Sequence, residues 1–127
     1  MPRRIVIVED EKDIRAILRH AIELIKGWSV LEAADGAAGL ELIQRELPDA
    51  ILLDVMMPKI DGRELFRRLR QNESTQSIPV IFITASLQRH EIQSLEELCP
   101  VAILAKPFDP IAIVRTISDL LGWDTSN

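Results

Sequence analysis

Asp54 is the residue whose position most strongly indicates chemistry. It lies near the end of the apolar run "AILLDV" at residues 50–55, and "MMPKIDG" follows that run. A carboxylate buried at the end of an apolar strand is costly unless a cation meets it. The rest of the chain therefore has to bring a cation, or the ligands of a metal ion, close to Asp54.

Three other apolar runs of strand length also deliver polar side chains to their ends. The runs are 4–8, 78–84 and 101–105, and the side chains are Glu9, Asp10 and Glu11 after the first, Thr84 at the end of the second and Lys106 after the third. If the strands are parallel, these ends meet at one edge of a sheet, where ligands bind. Two carboxylates about 4 Å apart repel each other by roughly 4 kcal/mol at an effective dielectric near 20. Either one carboxyl group is protonated or a cation is present.

Oxygen-rich ligands favour Mg²⁺ over zinc, because the strand ends carry no Cys or His. Lys106 adds a positive charge on the opposite side, and Thr84 adds a hydroxyl that can donate a hydrogen bond. A divalent cation, a lysine and a hydroxyl around Asp54 form a cradle for a phosphoryl group. In such a site Asp54 is the expected nucleophile, forming an acyl phosphate.

The elements that must position these residues follow from an alternation of strand and helix patterns. Five apolar runs, at 4–8, 29–34, 50–55, 78–84 and 101–105, alternate with five segments of helical periodicity. The helical stripes are Ile14, Ile17, Leu18, Ala21, Ile22 and Ile25; Leu40, Ile43 and Leu47; Leu65, Phe66 and Leu69; Ile92, Leu95 and Leu98; and Ile113, Val114, Ile117, Leu120 and Leu121. Gly27 is predicted to end the first helix, and Asp35-Gly36 is expected to form a turn. The alternation predicts an α/β fold, a (βα)5 parallel sheet with helices on both faces.

The composition restricts the class of protein. The 127 residues carry a formal net charge of −5, which argues against non-specific binding to nucleic acid and against anionic membranes. No apolar run reaches the roughly 18 residues of a membrane span, and "MPRRIVIVEDEK" is not the pattern of a signal peptide. Cys99 is the only cysteine, so no internal disulfide can form. We interpret Cys99 as a packed small hydrophobe and the protein as cytoplasmic.

Five stretches of the chain resemble the receiver domain of bacterial two-component response regulators. They are "RIVIVEDEKDIR", "EAADGAAGL", "PDAILLDVMMPKIDG", "PVIFITAS" and "AKPF", in the family's order and with similar spacing over almost the full length. The resemblance implies a flavodoxin-like strand order 2-1-3-4-5. It also implies a receiver domain over 1–122 and a short C-terminal tail over 123–127. The chain would then be a signalling phosphoacceptor that catalyses only its own phosphorylation and dephosphorylation.

The resemblance also assigns roles to individual residues. Asp54 matches the phosphoacceptor, Thr84 the switch hydroxyl and Lys106 the phosphate-binding lysine, with Lys106-Pro107 usually cis. Glu9, Asp10, Asp54 and the backbone carbonyl of Met56 match the Mg²⁺ ligands. The implied phosphodonor is a histidine kinase or phosphotransfer protein. The implied output is a downstream protein target or a homodimer, reached through the fourth helix, fifth strand and last helix.

Ile103 is the main departure from the family pattern, which usually has Tyr or Phe three residues before the lysine. The preceding Cys99-Pro100 also replaces the usual loop. We therefore expect a complete phosphorylation site with an altered output face. The alternative function is a degenerate receiver that docks partners without phosphorylation.

Two enzyme or cofactor-binding classes are weaker alternatives. A haloacid-dehalogenase-like phosphatase needs a second Asp where this chain has Met56, and a flavin-binding domain needs a phosphate-binding loop where this chain has acids. Considered singly, the candidates also have ordinary interpretations: Glu9–Glu11 as a solvated helix start, Thr84 as a strand-end hydroxyl and Lys106 as a surface lysine. Their occurrence together favours a functional site. His20 is interpreted as a surface or boundary residue.

Overall fold

A single five-stranded sheet organises the chain in a computed structural model that describes residues 2–57, 59–86 and 88–123. The elements are β1 (Arg4–Val8), α1 (Lys12–Lys26), β2 (Ser29–Ala33), α2 (Gly36–Glu46), β3 (Ala50–Asp54), α3 (Gly62–Arg70), β4 (Val80–Thr84), α4 (Arg89–Glu96), β5 (Ala102–Ala105) and α5 (Pro110–Leu121). All strand pairs are parallel and the order is β2-β1-β3-β4-β5. The expected fold and strand order are confirmed. Residues 124–127 of the expected tail lie outside the described residues.

Alternation along the strands divides the core into two layers. On one face of the sheet, Ile5 and Ile7 pack with residues of α1 and α5. On the other face, Val6 and Val8 pack with residues of α2, α3 and α4. Because β1, β3 and β4 are covered on both faces, their apolar runs are nearly continuous.

Local signals fix several helix ends. Gly27 caps α1 with a φ of 71°, as its sequence position predicts. The expected turn at Asp35-Gly36 is instead the start of α2, because the Asp35 carboxylate accepts a hydrogen bond from the Ala38 backbone N–H at 2.8 Å. Leu47, assigned to the stripe of this helix, lies beyond its end at a φ of 47° and is 48% exposed. That assignment was wrong.

Strand ends differ by one or two residues from the apolar runs. The run 78–84 pairs only from Val80 onward, because Pro79 has no backbone N–H to donate. The runs 29–34, 50–55 and 101–105 each lose one terminal residue. Helix α4 ends at Glu96, two residues before Leu98, although Leu98 still packs on the core.

Several apolar side chains are more exposed than their patterns predict, including Leu120 of α5, which is 40% exposed. Ile17 and Ile25 of α1 are 46% and 44% exposed, so part of the predicted apolar stripe does not face the sheet. Cys99 is exposed at a φ of 58°, so the prediction of a packed small hydrophobe was wrong. Within the described part of the chain, no helix is long and apolar enough to span a membrane.

Candidate functional site

The acidic residues meet at the carboxyl end of the sheet because β1 and β3 are neighbours. Val8 pairs with Leu53, so Glu9 and Asp54 leave adjacent strands at the same level. One side-chain oxygen from each of Glu9, Asp10 and Asp54 lies within 4.8 Å of the others. Glu9 is 1% and Asp54 3% exposed, whereas Asp10 is exposed.

The simple interpretation of these acids as a solvated helix start is therefore wrong for Glu9. It describes Glu11 better, since Glu11 is exposed and is the N-cap residue of α1. The Glu9 carboxylate accepts a hydrogen bond from the Glu11 backbone N–H at 3.1 Å. This contact fixes one oxygen of Glu9 and leaves the other directed at the cluster.

Lys106 is the cation that the buried carboxylates require. Its Nζ lies 2.8 Å from Glu9 Oε1, 3.4 Å from Asp54 Oδ1 and 3.7 Å from Glu11 Oε1, and the side chain is 10% exposed. The Lys106-Pro107 peptide is cis, as the resemblance implies. One ammonium group thus faces three carboxylates, and the negative charge of the cluster exceeds the positive charge.

This imbalance appears in the pKa values. Burial of the carboxyl group, together with the charge of Glu9, raises the pKa of Asp54 to about 7, although Lys106 opposes the change. Burial alone would lower the pKa of Lys106, but its contacts with Glu9 and Asp54 outweigh that effect, and its pKa is raised. Without a metal ion, ionisation of Asp54 therefore places a second negative charge beside that of Glu9, and the repulsion between them destabilises the ionised site.

The donor set fits a divalent cation. Three carboxylates converge, and Glu9 Oε1 is buried without a hydrogen bond of good geometry, even though Lys106 Nζ is near. Carboxylate oxygens are the ligands that Mg²⁺ prefers, and Mg²⁺ keeps several waters. Because Asp10 is exposed and borders an open cleft of about 390 Å³, lined also by Met56, Met57 and Asp61, those waters have room.

Thr84 and Met56 lie at the same edge in different settings. Thr84 closes β4 one residue after Ile83, the partner of Asp54, and it is 2% exposed. Its Oγ1 accepts a hydrogen bond from the Ser86 backbone N–H at 3.1 Å. The Met56 side chain is 63% exposed, so only its backbone can contribute to a buried site.

Arg15 supports the acidic turn and was missed from the sequence. Its Nη1 donates to the backbone carbonyl of Glu9 at 2.9 Å, and its Nε lies 3.2 Å from Glu32 Oε1 on β2. Arg19 binds the other oxygen of Glu32 at 2.7 Å, and this hydrogen bond is the main reason that the pKa of Glu32 is lowered. Nothing in the spacing of α1 distinguishes Arg15 from Arg19, the other arginine of this helix, so only the fold reveals its role.

Gly36 supports the loop that follows Asp54. A Cβ atom at this position would overlap the backbone carbonyl oxygen of Ile60, so the chain at Ile60 rests directly on the start of α2. Lys59, at a φ of 68°, adds an ion pair of 3.5 Å to Asp35. A glycine at the first position of a helix, after an Asp cap, was the available sequence signal for this close approach.

Comparisons with known proteins agree with this geometry. The sequence profile of the response regulator receiver domain matches residues 5–118. Response regulator Rre1 of Synechocystis is 32% identical over 122 residues, which are 95% of this chain and 52% of that protein. The alkaline phosphatase synthesis transcriptional regulatory protein PhoP of Bacillus subtilis is 33% identical over 95% of this chain and 49% of its own length. The chain thus spans about half the length of these relatives.

Solved structures share the fold over nearly their whole length. A putative response regulator from Chloroflexus aurantiacus is 32% identical with a TM-score of 0.88, covering 96% of this chain and 99% of that one. The chemotaxis protein CheY4 of Vibrio cholerae is 26% identical with a TM-score of 0.87, covering 94% and 99%. Profile, relatives and fold agree over the same residues, and the chain belongs to the response regulator receiver domain family.

Proposed function

We propose that this chain accepts a phosphoryl group on Asp54 from the phosphohistidine of a histidine kinase or phosphotransfer protein, in a reaction that depends on Mg²⁺. The observation that carries the proposal is the position of Lys106. Its Nζ lies 3.4 Å from Asp54 Oδ1, beside a cluster of acids that no other cation balances among the described residues. Membership of the receiver family supports the same conclusion.

The chemistry assigns a role to each side chain. A carboxylate oxygen of Asp54 attacks phosphorus, the N–P bond of the donor breaks, and its electron pair returns to the imidazole nitrogen. The Lys106 ammonium group would offset charge on the phosphoryl oxygens, and the Thr84 hydroxyl would donate a hydrogen bond to one of them. Mg²⁺, held by Glu9, Asp10, Asp54 and the Met56 carbonyl, would supply further charge neutralisation.

The proposed output lies on the side of the sheet beyond Thr84. Ile103 pairs with Phe82 in the sheet and packs, half-buried, against the cluster that contains Phe66. An open cleft of about 350 Å³ between α4 and β5 is lined by Ile92, Glu96, Pro100, Val101, Ala102, Ile103 and Ala105. We propose this α4–β5–α5 face as the surface for a downstream target or a homodimer. Ile103 would transmit the change at Thr84 less strongly than an aromatic side chain.

Intact-mass spectrometry with a small acyl-phosphate donor tests the proposal. We expect one phosphoryl adduct that requires Mg²⁺ and is absent from Asp54→Asn. Thr84→Val is a matched variant that keeps the acceptor and should still be modified. A folded, Mg²⁺-binding protein that acquires no adduct would favour the docking module instead. A cytoplasmic location belongs to the same proposal, because the donor kinases phosphorylate their histidine from ATP there.

A further inference from the structure

We propose that Glu11 holds Lys106 until a phosphoryl group arrives, and that this contact makes the site discriminate against small, doubly charged phosphodonors. The inference rests on the proposed function, because it assigns a further residue to the same phosphoryl site. Glu11 is not one of the three acids that converge in the acidic cluster, yet its Oε1 lies 3.7 Å from Lys106 Nζ. The need for metal ligands therefore does not explain this contact.

The Glu11 side chain contacts Lys106 instead of capping its own helix. Glu11 is the N-cap residue of α1, but among the described residues its side chain accepts no hydrogen bond from the first turn. The N-cap residues Asp35, Asp61 and Asp109 do cap α2, α3 and α5 with their carboxylates. Short side chains are preferred at this position because they reach the free backbone N–H groups of the helix. The longer glutamate at the start of α1 reaches Lys106 instead.

The ammonium group of Lys106 is surrounded by as many carboxylates as it has N–H donors. Lysine carries three such donors. In the described part of the chain its neighbours are Glu9 Oε1 at 2.8 Å, Asp54 Oδ1 at 3.4 Å and Glu11 Oε1 at 3.7 Å. A phosphoryl oxygen that binds Lys106 therefore has to replace one of these carboxylates.

Glu11 is the carboxylate that leaves Lys106 at the smallest cost. Glu9 is buried, and its other oxygen accepts the backbone N–H of Glu11 at 3.1 Å. Asp54 is also buried, and it is the residue that would carry the phosphoryl group. The Glu11 side chain is 63% exposed and makes the longest of the three contacts, so water can take the place of Lys106 when this side chain turns outward.

The charge of Glu11 determines which donors react slowly. A donor has to bring its phosphoryl oxygens to Lys106 past an exposed carboxylate, and like charges repel. A small dianion such as acetyl phosphate has few other contacts that offset this repulsion. A phosphohistidine protein binds through a larger surface, and contacts remote from the reacting atoms supply the binding energy that offsets it. Glu11 therefore favours a protein donor over a small acyl phosphate.

The rates of adduct formation in Glu11→Gln test the proposal, because Gln keeps the length of the side chain and removes its charge. With acetyl phosphate, an Asp54 oxygen attacks phosphorus, the P–O bond breaks and acetate leaves with the electron pair. With phosphoramidate, which is singly charged near pH 7, the P–N bond breaks and the protonated nitrogen leaves as ammonia. At low ionic strength we expect Glu11→Gln to react about three to ten times faster than the wild type with acetyl phosphate, and to gain less with phosphoramidate. The gain should largely disappear in about 0.5 M salt.

Two further measurements separate this contact from a general effect of charge. Asp13→Asn is the matched control, because Asp13 is an exposed acid in the first turn of the same helix and is not among the acids that Lys106 contacts in the described structure. It should react like the wild type. Calorimetric titration should show that Glu11→Gln binds Mg²⁺ no more tightly than the wild type, because a negative charge near the metal ligands is lost. Faster phosphorylation without tighter metal binding assigns the gain to Lys106.

Three results would overturn the proposal: a Glu11→Gln variant that reacts with acetyl phosphate at the wild-type rate, an equal gain in Asp13→Asn, or a gain that is the same for both donors. In each case the wild type still forms its adduct, so phosphorylation of Asp54 stands and only the role of Glu11 is refuted. A wild type that forms no adduct with either donor refutes the proposed function itself, and the role of Glu11 with it. Circular dichroism shows that each variant is folded.

Discussion

Replacing Asp54 by Asn should stabilise the metal-free protein at alkaline pH, even though it removes a partner of Lys106. The Asp54 carboxyl group is almost fully buried, and its pKa rises from 3.8 to about 7 on folding because of burial and the charge of Glu9. This difference corresponds to roughly 4 kcal/mol of unfolding free energy. Asn occupies the same volume without a charge, so it escapes this cost.

The sign of the pH dependence follows from the direction of the shift. A carboxyl group whose pKa is raised by folding retains a proton that the unfolded chain has already lost. The free energy of unfolding of the wild type therefore falls as the pH rises from about 4 to about 7, and this contribution is constant above that window. The Asn variant lacks this titration. Its stability relative to the wild type should increase by up to about 4 kcal/mol between pH 4 and pH 8.

Urea denaturation in EDTA, followed by tryptophan fluorescence, measures this difference. Trp28 and Trp123 contact each other with ring centroids 5.0 Å apart, and Trp28 is buried, so unfolding changes their environment. Glu41→Gln is the control, because the Glu41 side chain is 82% exposed and its replacement should give a difference that is flat with pH. Saturating Mg²⁺ should stabilise the wild type and shrink the advantage of Asn. A difference between Asp54→Asn and wild type that does not change with pH would refute the electrostatic account.

Two further predictions concern the residues that support the site. Gly36→Ala should lower the free energy of unfolding by about 1–3 kcal/mol and weaken Mg²⁺ binding, because the added methyl group displaces the backbone at Ile60. Thermal denaturation with and without Mg²⁺ measures both effects. If Mg²⁺ stabilised the variant and the wild type equally, the predicted loss of Mg²⁺ binding would be contradicted. Arg15→Gln should weaken Mg²⁺ binding by about tenfold, since it removes the donor to the Glu9 carbonyl. Arg19→Gln, which loses only a contact to Glu32 and the pair with Glu23, should bind Mg²⁺ normally in the same calorimetric titration.

The fold was predictable because apolar runs, helical periodicity and helix-ending residues all indicate the same elements. The run "RIVIV" gives the bounds of β1 without error, since a strand covered on both faces is apolar throughout. Gly27 gave the end of α1 because it adopts a positive φ at no steric cost. The errors lie at the ends of elements, where backbone hydrogen bonding sets the boundary. Pro79 cannot donate a hydrogen bond to the neighbouring strand, and Leu47 lies beyond the last turn of its helix.

The residues of the candidate site were predicted from the sequence, but the residues that hold the site in place were not. Parallel strands place their carboxyl ends at one edge, so acids and a lysine at those ends must lie close together. Arg15 and Gly36 act through the backbone of Glu9 and Ile60. A hydrogen bond to a backbone carbonyl leaves no trace in residue type, so the role of Arg15 required the three-dimensional structure. For Gly36 the glycine after the Asp35 cap was a local signal, but its partner Ile60 could not be inferred from the sequence.

Helix α1 carries more apolar side chains than its packing against the sheet requires. Two positions of the stripe, Ile17 and Ile25, are left partly exposed, and Leu24, which lies outside the predicted stripe, is largely exposed. A helix that only needs to cover a sheet can carry polar residues at such positions without losing stability, and burial of Leu18 and Ile22 already satisfies that need. Exposed Leu and Ile side chains therefore lower the solubility of the protein and do not contribute to its core. The exposed Leu and Ile positions of α1 are therefore not explained by the packing of this helix on its own sheet.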